Sequence, residues 1–235
     1  MHRPLGRKAY TSIPHLPGSR TAGDRHISLR QAERLTCEAP RGFEVVVQEK
    51  LDGSCVAAAR IGDDIVALGR AGDLAAESRN AGRRLWAAWV HEHQGRFRAL
   101  LRPGERLVGE WLALAHSTHY SLVHEPFVAF DLMSEAERLT SLALGRRLRQ
   151  TGFCLPHEVH RGDALAVPAA LTMLGHGGHG AMEPPEGLVY RLESEGAVAL
   201  IAKHVRPGKV DGSLLEENTG KPPVWNWHPD FNEPR

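Results

Sequence analysis

Short apolar segments, each too brief for a membrane span and bounded by turn residues, set the pattern of this chain. The runs Phe43–Val47, Cys55–Ile61 and Asp64–Gly69, and the segments 106–112, 127–132, 187–194 and 197–204, are rich in Val, Ile, Leu and Phe. They are separated by Gly, Pro and Asp, which is the composition and punctuation of β-strands. Residues 43–72 therefore read as strand, turn, strand, turn, strand, and Glu195-Gly196 joins the last pair. Over 73–101 the period becomes helical. Leu85, Trp86, Trp89, His93, Phe97 and Leu100 recur at spacings of one, three or four and form one apolar face of a helix or helix pair, with the tryptophans as core.

Ser134-Glu-Ala-Glu137 has the form of a capping box and predicts a helix from there to about Gln150, stopped at Gly152. Further helices are predicted near Ser28–Leu35 and over Val167–Leu174, with His176-Gly-Gly-His179-Gly as a flexible loop. Residues 1–42, rich in Pro, Gly and charge, predict a loosely structured arm. The tail from Asp211, with Pro222-Pro223-Val-Trp-Asn-Trp227, predicts an extended, proline-broken segment. The reading is one α+β domain over 1–235, a mainly antiparallel β core flanked by helices, with 1–42 and 211–235 packed on it as arm and tail.

A length of 235 residues suits one large domain with an ample core. No apolar run approaches the ~18 residues a membrane span needs, and the basic start Met-His-Arg-Pro-Leu-Gly-Arg-Lys lacks the apolar stretch of a secretory signal. Cys37, Cys55 and Cys154 are few, odd in number and widely spaced, which points to a reducing cytosol and a cytoplasmic protein. A net charge of +1 does not announce a nucleic-acid partner. The clusters Arg83-Arg84, Arg96-Phe-Arg98 and Arg146-Arg147-Leu-Arg149 fit either solvated helix faces or phosphate contacts. There is no Walker-type loop and no dinucleotide fingerprint. His116, His119 and His124 have neither the helix nor the cysteines that would support a zinc site.

Candidate chemistry centres on Lys50-Leu51-Asp52-Gly53, between two strand-like runs. Of 29 basic residues only Lys8, Lys50, Lys203, Lys209 and Lys221 are lysine, so a lysine here suggests a chemical requirement. Lysine can become a neutral nucleophile, whereas arginine cannot. Alone, K-x-D-G also fits a hairpin turn. The order of the segments downstream of it narrows the choice. Arg70 closes a strand; Arg106-Leu-Val-Gly-Glu110-Trp111 ends in a carboxylate; Pro126-Phe-Val-Ala-Phe130-Asp131 carries an aromatic; then come Glu186-Gly-Leu-Val-Tyr-Arg191 and Leu200-Ile-Ala-Lys203-His-Val-Arg206. In this order the segments resemble the five motifs of the covalent lysyl-nucleotidyltransferase superfamily of RNA ligases, DNA ligases and mRNA capping enzymes. His15-Leu-Pro-Gly-Ser19 and Gly109–Ser117 look closer to the RNA ligase branch. The resemblance spans about residues 10–227.

The resemblance implies a nucleotidyltransferase (ATP-grasp-like) domain. It implies that Lys50 attacks ATP to form lysyl-AMP, that AMP passes to a 5′-phosphate end, and that a 3′-hydroxyl then joins the strands. A neutral lysine is required, although its free pKa is near ~10.4; Lys203 and Arg70 are the cations expected to lower it and to neutralise the triphosphate. Glu110 and Glu186 would supply oxygen ligands, directly or through water, for Mg²⁺ (or Mn²⁺). By family correspondence Glu110 contacts the ribose, Asp52 supports later steps, Phe130 stacks on adenine, and Glu49 lies near the base edge. The chain departs from the family at the last motif, which commonly holds two lysines two positions apart. Here Lys203 has Val205 at +2 and Ile201 at −2. Arg206 is the preferred substitute and Lys209 the other. The expected partner is nucleic acid, RNA with 5′-phosphate and 3′-hydroxyl ends. Little chain comes after the last motif, leaving no room for an appended OB domain, so a partner protein for strand specificity is an expectation. DNA ligase-like or capping-type transfer, and an inactive nucleic-acid-binding relative, stay open.

Overall fold

The computed structural model of the chain describes residues 3–20, 23 and 25–232. The first two residues of the predicted arm, three others within it, and the last three of the predicted tail lie outside these. Two antiparallel sheets form the fold. In the four-stranded sheet, β1 (Glu44–Lys50) lies between β7 (Glu158–Gly162) and β8 (Gly187–Ser194), and β9 (Ala197–Val205) pairs with β8. In the five-stranded sheet the order is β3 (Asp64–Gly69), β2 (Ser54–Ile61), β4 (Glu105–Trp111), β5 (Phe127–Ser134) and β6 (Glu137–Arg138).

Period-two alternation decides what each face of the first sheet does. Val45 and Val47 of β1, Leu188, Tyr190 and Leu192 of β8, and Ala202 of β9 form an apolar layer. Helices α1 (Leu29–Thr36) and α5 (Val167–Leu174) complete that layer with Leu35, Ala170 and Leu174. The opposite residues Lys50, Val189, Arg191, Ile201 and Lys203 line a cavity shared with the second sheet. On the second sheet, Val56, Ala58, Leu107 and Trp111 face helices α2 (Ala81–Glu92) and α3 (Gln94–Leu100). There Trp86, Trp89, Phe97, Phe127 and Phe153 form a buried aromatic cluster, so Trp86 and Trp89 are core.

Two tight hairpins stand where turn residues predict them. Ile61 pairs with Asp64 around Gly62 (φ +60°), and Ser194 pairs with Ala197 around Glu195-Gly196. Both place glycine where positive φ is needed.

The helix predicted from Ser134 is a correction. Ser134 pairs with Glu137 across a hairpin, so the backbone groups a capping box would use are spent in the ladder, and Glu135 turns the chain at φ 50°. Arg138 then reaches back to Asp131 at 2.9 Å. The helix that forms is α4 (Ser141–Leu148), capped by Thr140, whose Oγ1 accepts from the Ala143 amide at 3.3 Å. Strand β7 is not among the predicted elements. Its Glu-Val-His-Arg-Gly sequence has one strongly apolar residue, and it exists because β1 offers it an edge.

The N-terminal segment has little regular structure besides α1, whose Ser28–Gln31 capping box is formed. It is nevertheless tied down at both sheets. Tyr10 N–H donates to Arg70 O (3.1 Å), while Leu16 N–H donates to Lys203 O (2.8 Å) and Arg20 N–H to Val205 O (3.1 Å). At the other end, Ala115 N–H donates to Val224 O, Asn226 bonds Leu112 and Ala113, and Trp227 packs edge-on against Trp111 with ring centroids 5.9 Å apart. No helix among the described residues is long and apolar enough to cross a membrane.

Candidate active site

Lys50 is the last residue of β1 and Ser54 the first of β2, so Leu51-Asp52-Gly53 is where the chain crosses from one sheet to the other. The glycine is required by proximity. A Cβ on Gly53 would lie 2.6 Å from the Trp111 carbonyl oxygen, and the bare backbone instead donates its N–H to Glu110 Oε1 at 3.1 Å. Glu110 comes from β4 and Glu186 from the residue before β8, so the crossing brings carboxylates of both sheets to one lysine. Lys50 Nζ lies 2.6 Å from Glu186 Oε2.

Asp52 is fixed from the loop after β4. Its Oδ2 accepts from Ser117 N–H (3.1 Å) and Thr118 Oγ1 (2.9 Å), and Lys209 Nζ lies 3.2 Å away. The Asp52 amide donates to the Tyr120 hydroxyl at 3.0 Å. Ser54 Oγ meets His116 Nε2 at 3.1 Å. Burial lowers the His116 pKa, so the imidazole is held neutral.

The electrostatics overturn one expectation. Burial pulls the Lys50 ammonium down, but Glu186, Glu110 and Asp52 outweigh it and hold its pKa above the ordinary value. Lys203 and Arg70, the cations expected to lower it, are not among the main influences on it. Lys50 is therefore a paired ammonium, as three converging carboxylates require. The carboxylates bear the complementary strain. Burial, opposed by Lys50 and reinforced by Glu186 and Asp52, pushes Glu110 up to about 8. Burial also raises Glu186.

The cavity between the sheets has a volume of about 400 Å³. Of the residues singled out by sequence, Glu49, Lys50, Asp52, Arg70, Glu110, Phe130, Glu186 and Lys203 all line it. Phe130 owes its inward aim to a bulge. Val108 pairs with Asp131 and Gly109 with Ala129, leaving Phe130 as the extra residue, and so both Phe130 and Asp131 face inward. Phe130 meets Tyr10 edge to face at 5.3 Å. Glu49 Oε2 accepts from Gly178 N–H at 2.7 Å, and its buried Oε1 has no hydrogen-bond partner among the described residues.

Arg206 is not brought in. Its backbone N–H donates to Glu186 O; neither it nor Lys209 lines the cavity, but Lys209 reaches Asp52, which does. Sequence reading missed Thr118 and Tyr120 as supports of Asp52, and Arg191 as a cavity residue. Nothing in Ser117-Thr-His-Tyr120 marks a loop that folds back on a motif 65 residues away. The three histidines of the loop go separate ways: His116 to Ser54, His119 to Glu183 (2.6 Å), His124 to His179 (2.8 Å). Among the described residues no group of three or more His, Cys, Asp or Glu is placed to hold a metal.

With this geometry in place, comparison with known proteins gives a consistent picture. The RNA ligase family model matches residues 43–205. Among solved structures, the chain is similar to Naegleria gruberi RNA ligase with PPi at a TM-score of 0.56 and 20% identity, covering 92% of this chain and 63% of that one. A mutant of the same ligase with ATP and Mn gives 0.54 and 18%, covering 86% and 61%. The chain thus spans less than two thirds of the length of these structures, and the likeness is one of fold. No curated protein sequence matches it.

Proposed function

The chain belongs to the RNA ligase family, matched over residues 43–205, and on that premise we propose that it is an ATP-dependent, RNA ligase-like adenylyltransferase. Lys50 Nζ attacks the α-phosphorus of ATP, the bond to the β-phosphate oxygen breaks, and pyrophosphate leaves a lysyl-AMP phosphoramidate. AMP then passes to the 5′-phosphate of a nucleic-acid strand, RNA by preference, and a 3′-hydroxyl displaces AMP to join the ends.

The observation that carries this reading is Lys50 placed at the crossing of the two sheets, 2.6 Å from Glu186 and within a cavity of nucleotide size. The ammonium must lose a proton before it attacks, and Glu186 Oε2 is the nearest acceptor. Lys203 and Arg70, both on the cavity wall, are suited to neutralising the triphosphate. Phe130 offers its ring to the adenine, and Glu49 Oε1, without a hydrogen-bond partner among the described residues, offers an acceptor to the exocyclic amine.

A divalent ion, Mg²⁺ or Mn²⁺, fits the donor set in one respect. Glu110 and Glu186 are buried hard-oxygen groups, with Glu110 pushed up to about 8, and a nearby dication would favour their ionised forms. Among the described residues no third side chain joins them as a metal-holding group, so phosphate and water oxygens would complete its shell. When bound, such an ion supplies charge neutralisation at the phosphates.

The test is incubation with α-labelled ATP and Mg²⁺, followed by denaturing electrophoresis. A labelled chain is expected, and the label should vanish in Lys50→Ala and equally in Lys50→Arg, since a guanidinium keeps the charge but cannot become a neutral amine. Undiminished labelling of Lys50→Arg would remove Lys50 as nucleophile. Competition with unlabelled GTP separates an ATP user from a capping-type enzyme.

A further inference from the structure

Lys209 stands outside the motifs and beyond the last strand, yet its ammonium ends in the candidate site. After β9 closes at Val205, Pro207 and Gly208 (φ +83°) turn the chain back towards the loop after β4. The return is pinned twice, by Gly212 N–H donating to Ser117 Oγ (3.0 Å) and by Leu214 N–H donating to His116 O (2.7 Å). Lys209 Nζ then donates to Ser117 O (3.2 Å) and to Thr118 Oγ1, and pairs with Asp52 Oδ2. The Lys209 and Asp52 side chains are 12% and 10% exposed, so the pair is largely withdrawn from water.

The arrangement is lopsided. Ser117 N–H, Thr118 Oγ1 and Lys209 Nζ all converge on Oδ2. Oδ1 accepts no hydrogen bond from the described residues. A carboxylate held on one oxygen by two hydrogen-bond donors and an ion pair, from two different segments, has one orientation, and its second oxygen is left for something that enters the cavity. Asp52 also shares the site with Glu110 and Glu186, so a cation is needed to hold a third carboxylate there besides the one that Lys50 supplies.

We propose that Lys209 is a positioning residue: with Ser117 and Thr118 it occupies Asp52 Oδ2 and thereby presents Oδ1 as acceptor to a substrate hydroxyl during strand joining. This rests on the proposed ligase reading. It differs from a role for Lys209 as a phosphate clamp, because its partner here is a carboxylate and its effect passes through Asp52.

The experiment is a double-mutant cycle on the full chain, with lysyl-AMP formation and strand joining measured separately and thermal unfolding recorded for every variant. The variants are Lys209→Met, Lys209→Arg, Asp52→Asn and the Asp52→Asn/Lys209→Met pair. Lys209→Met should slow joining by roughly tenfold or more, as a displaced reacting group does, with the KM for ATP nearly unchanged. Lys209→Arg should restore part of the loss. The double variant should join no more slowly than Asp52→Asn alone, which a merely structural lysine would not produce. If Lys209→Met unfolds, Thr118→Val takes its place in the cycle, because it removes another donor from the same oxygen. Additive losses in the cycle, or wild-type joining by Lys209→Met, would overturn the inference while leaving the ligase reading intact. A wild-type chain that forms no lysyl-AMP would overturn both.

Discussion

Two networks of buried charge lie between the sheets, only a few residues apart, and they differ in balance. The first joins Asp131 of β5 to Arg191 and Glu193 of β8. Asp131 accepts from Tyr10 Oη (2.7 Å), Arg138 (2.9 Å) and Arg191 (3.0 Å). Glu193 accepts from Arg191 Nε (2.6 Å) and from the Ser141 amide and hydroxyl. Two carboxylates face two guanidiniums, and each carboxylate accepts several hydrogen bonds. The second network sets the carboxyl groups of Asp52, Glu110 and Glu186 against the ammoniums of Lys50 and Lys209, three acids to two bases. Burial, opposed by Lys50 and reinforced by Glu186 and Asp52, pushes the Glu110 carboxyl of this network up to about 8. The balanced network holds the sheets together. The unbalanced one keeps perturbed carboxyls beside a lysine, and perturbed groups gather where chemistry is done.

If this contrast is right, damage to the two networks should have different signatures. Arg191→Met leaves Asp131 and Glu193 buried with too few partners and should cost about 3–5 kcal/mol of stability, read by denaturant unfolding. Glu186→Gln should cost far less. Equal losses would erase the distinction between latch and site.

A smaller effect separates the networks by pH. Folding raises the Glu110 carboxyl from an ordinary 4.5 to about 8, so the folded chain keeps a proton the unfolded chain releases. The corresponding stability is fully present below pH 4.5 and is lost as pH rises to about 8. Glu110→Gln should flatten that decline in melting temperature. A variant that falls as steeply as wild type would place the titration elsewhere.

The smallest expected change concerns Phe130, which stands beside both networks. Phe130→Ala should weaken ATP binding by about 1–3 kcal/mol, the range for base–aromatic stacking, measured by calorimetry, with melting temperature little altered. A parallel loss of stability and binding would make Phe130 a core residue.

Much of the fold and the site is legible in the sequence because strand periodicity and motif order are local. Lys50, Glu110, Phe130 and Glu186 can each be placed on or beside a strand, and the strands then converge. What cannot be read is how segments return. By sequence Lys209 lies past the end of a strand, and only the turn at Pro207-Gly208 carries it to Asp52. Arg206, which shares β9's approach to the site, stays off the cavity wall. Ser134 and Glu137 match a capping box, yet a strand partner claims their backbone first. The charge state of Lys50 escapes the sequence for the same reason: motif order names the cations and the carboxylates of the site, but not which of them draw closest to the lysine in space.

Lys50 and Glu186 are 136 residues apart in the chain although they meet across one sheet. A ribosome adding about 5–20 residues per second delivers the glutamate on the order of ten seconds after the lysine. Leu16 waits longer still for the Lys203 carbonyl to which its amide donates. Strands β2, β3, β4 and β5 find their partners within a shorter stretch and can close first. For most of that delay Val45-Val46-Val47, a β-branched run later buried on both faces, is without either of the strands it pairs with, β7 and β8, the kind of segment that associates with other chains when left open. Birth order thus makes the sheet bearing the lysine the last to be completed, and the most exposed to misassembly while the chain is still being made.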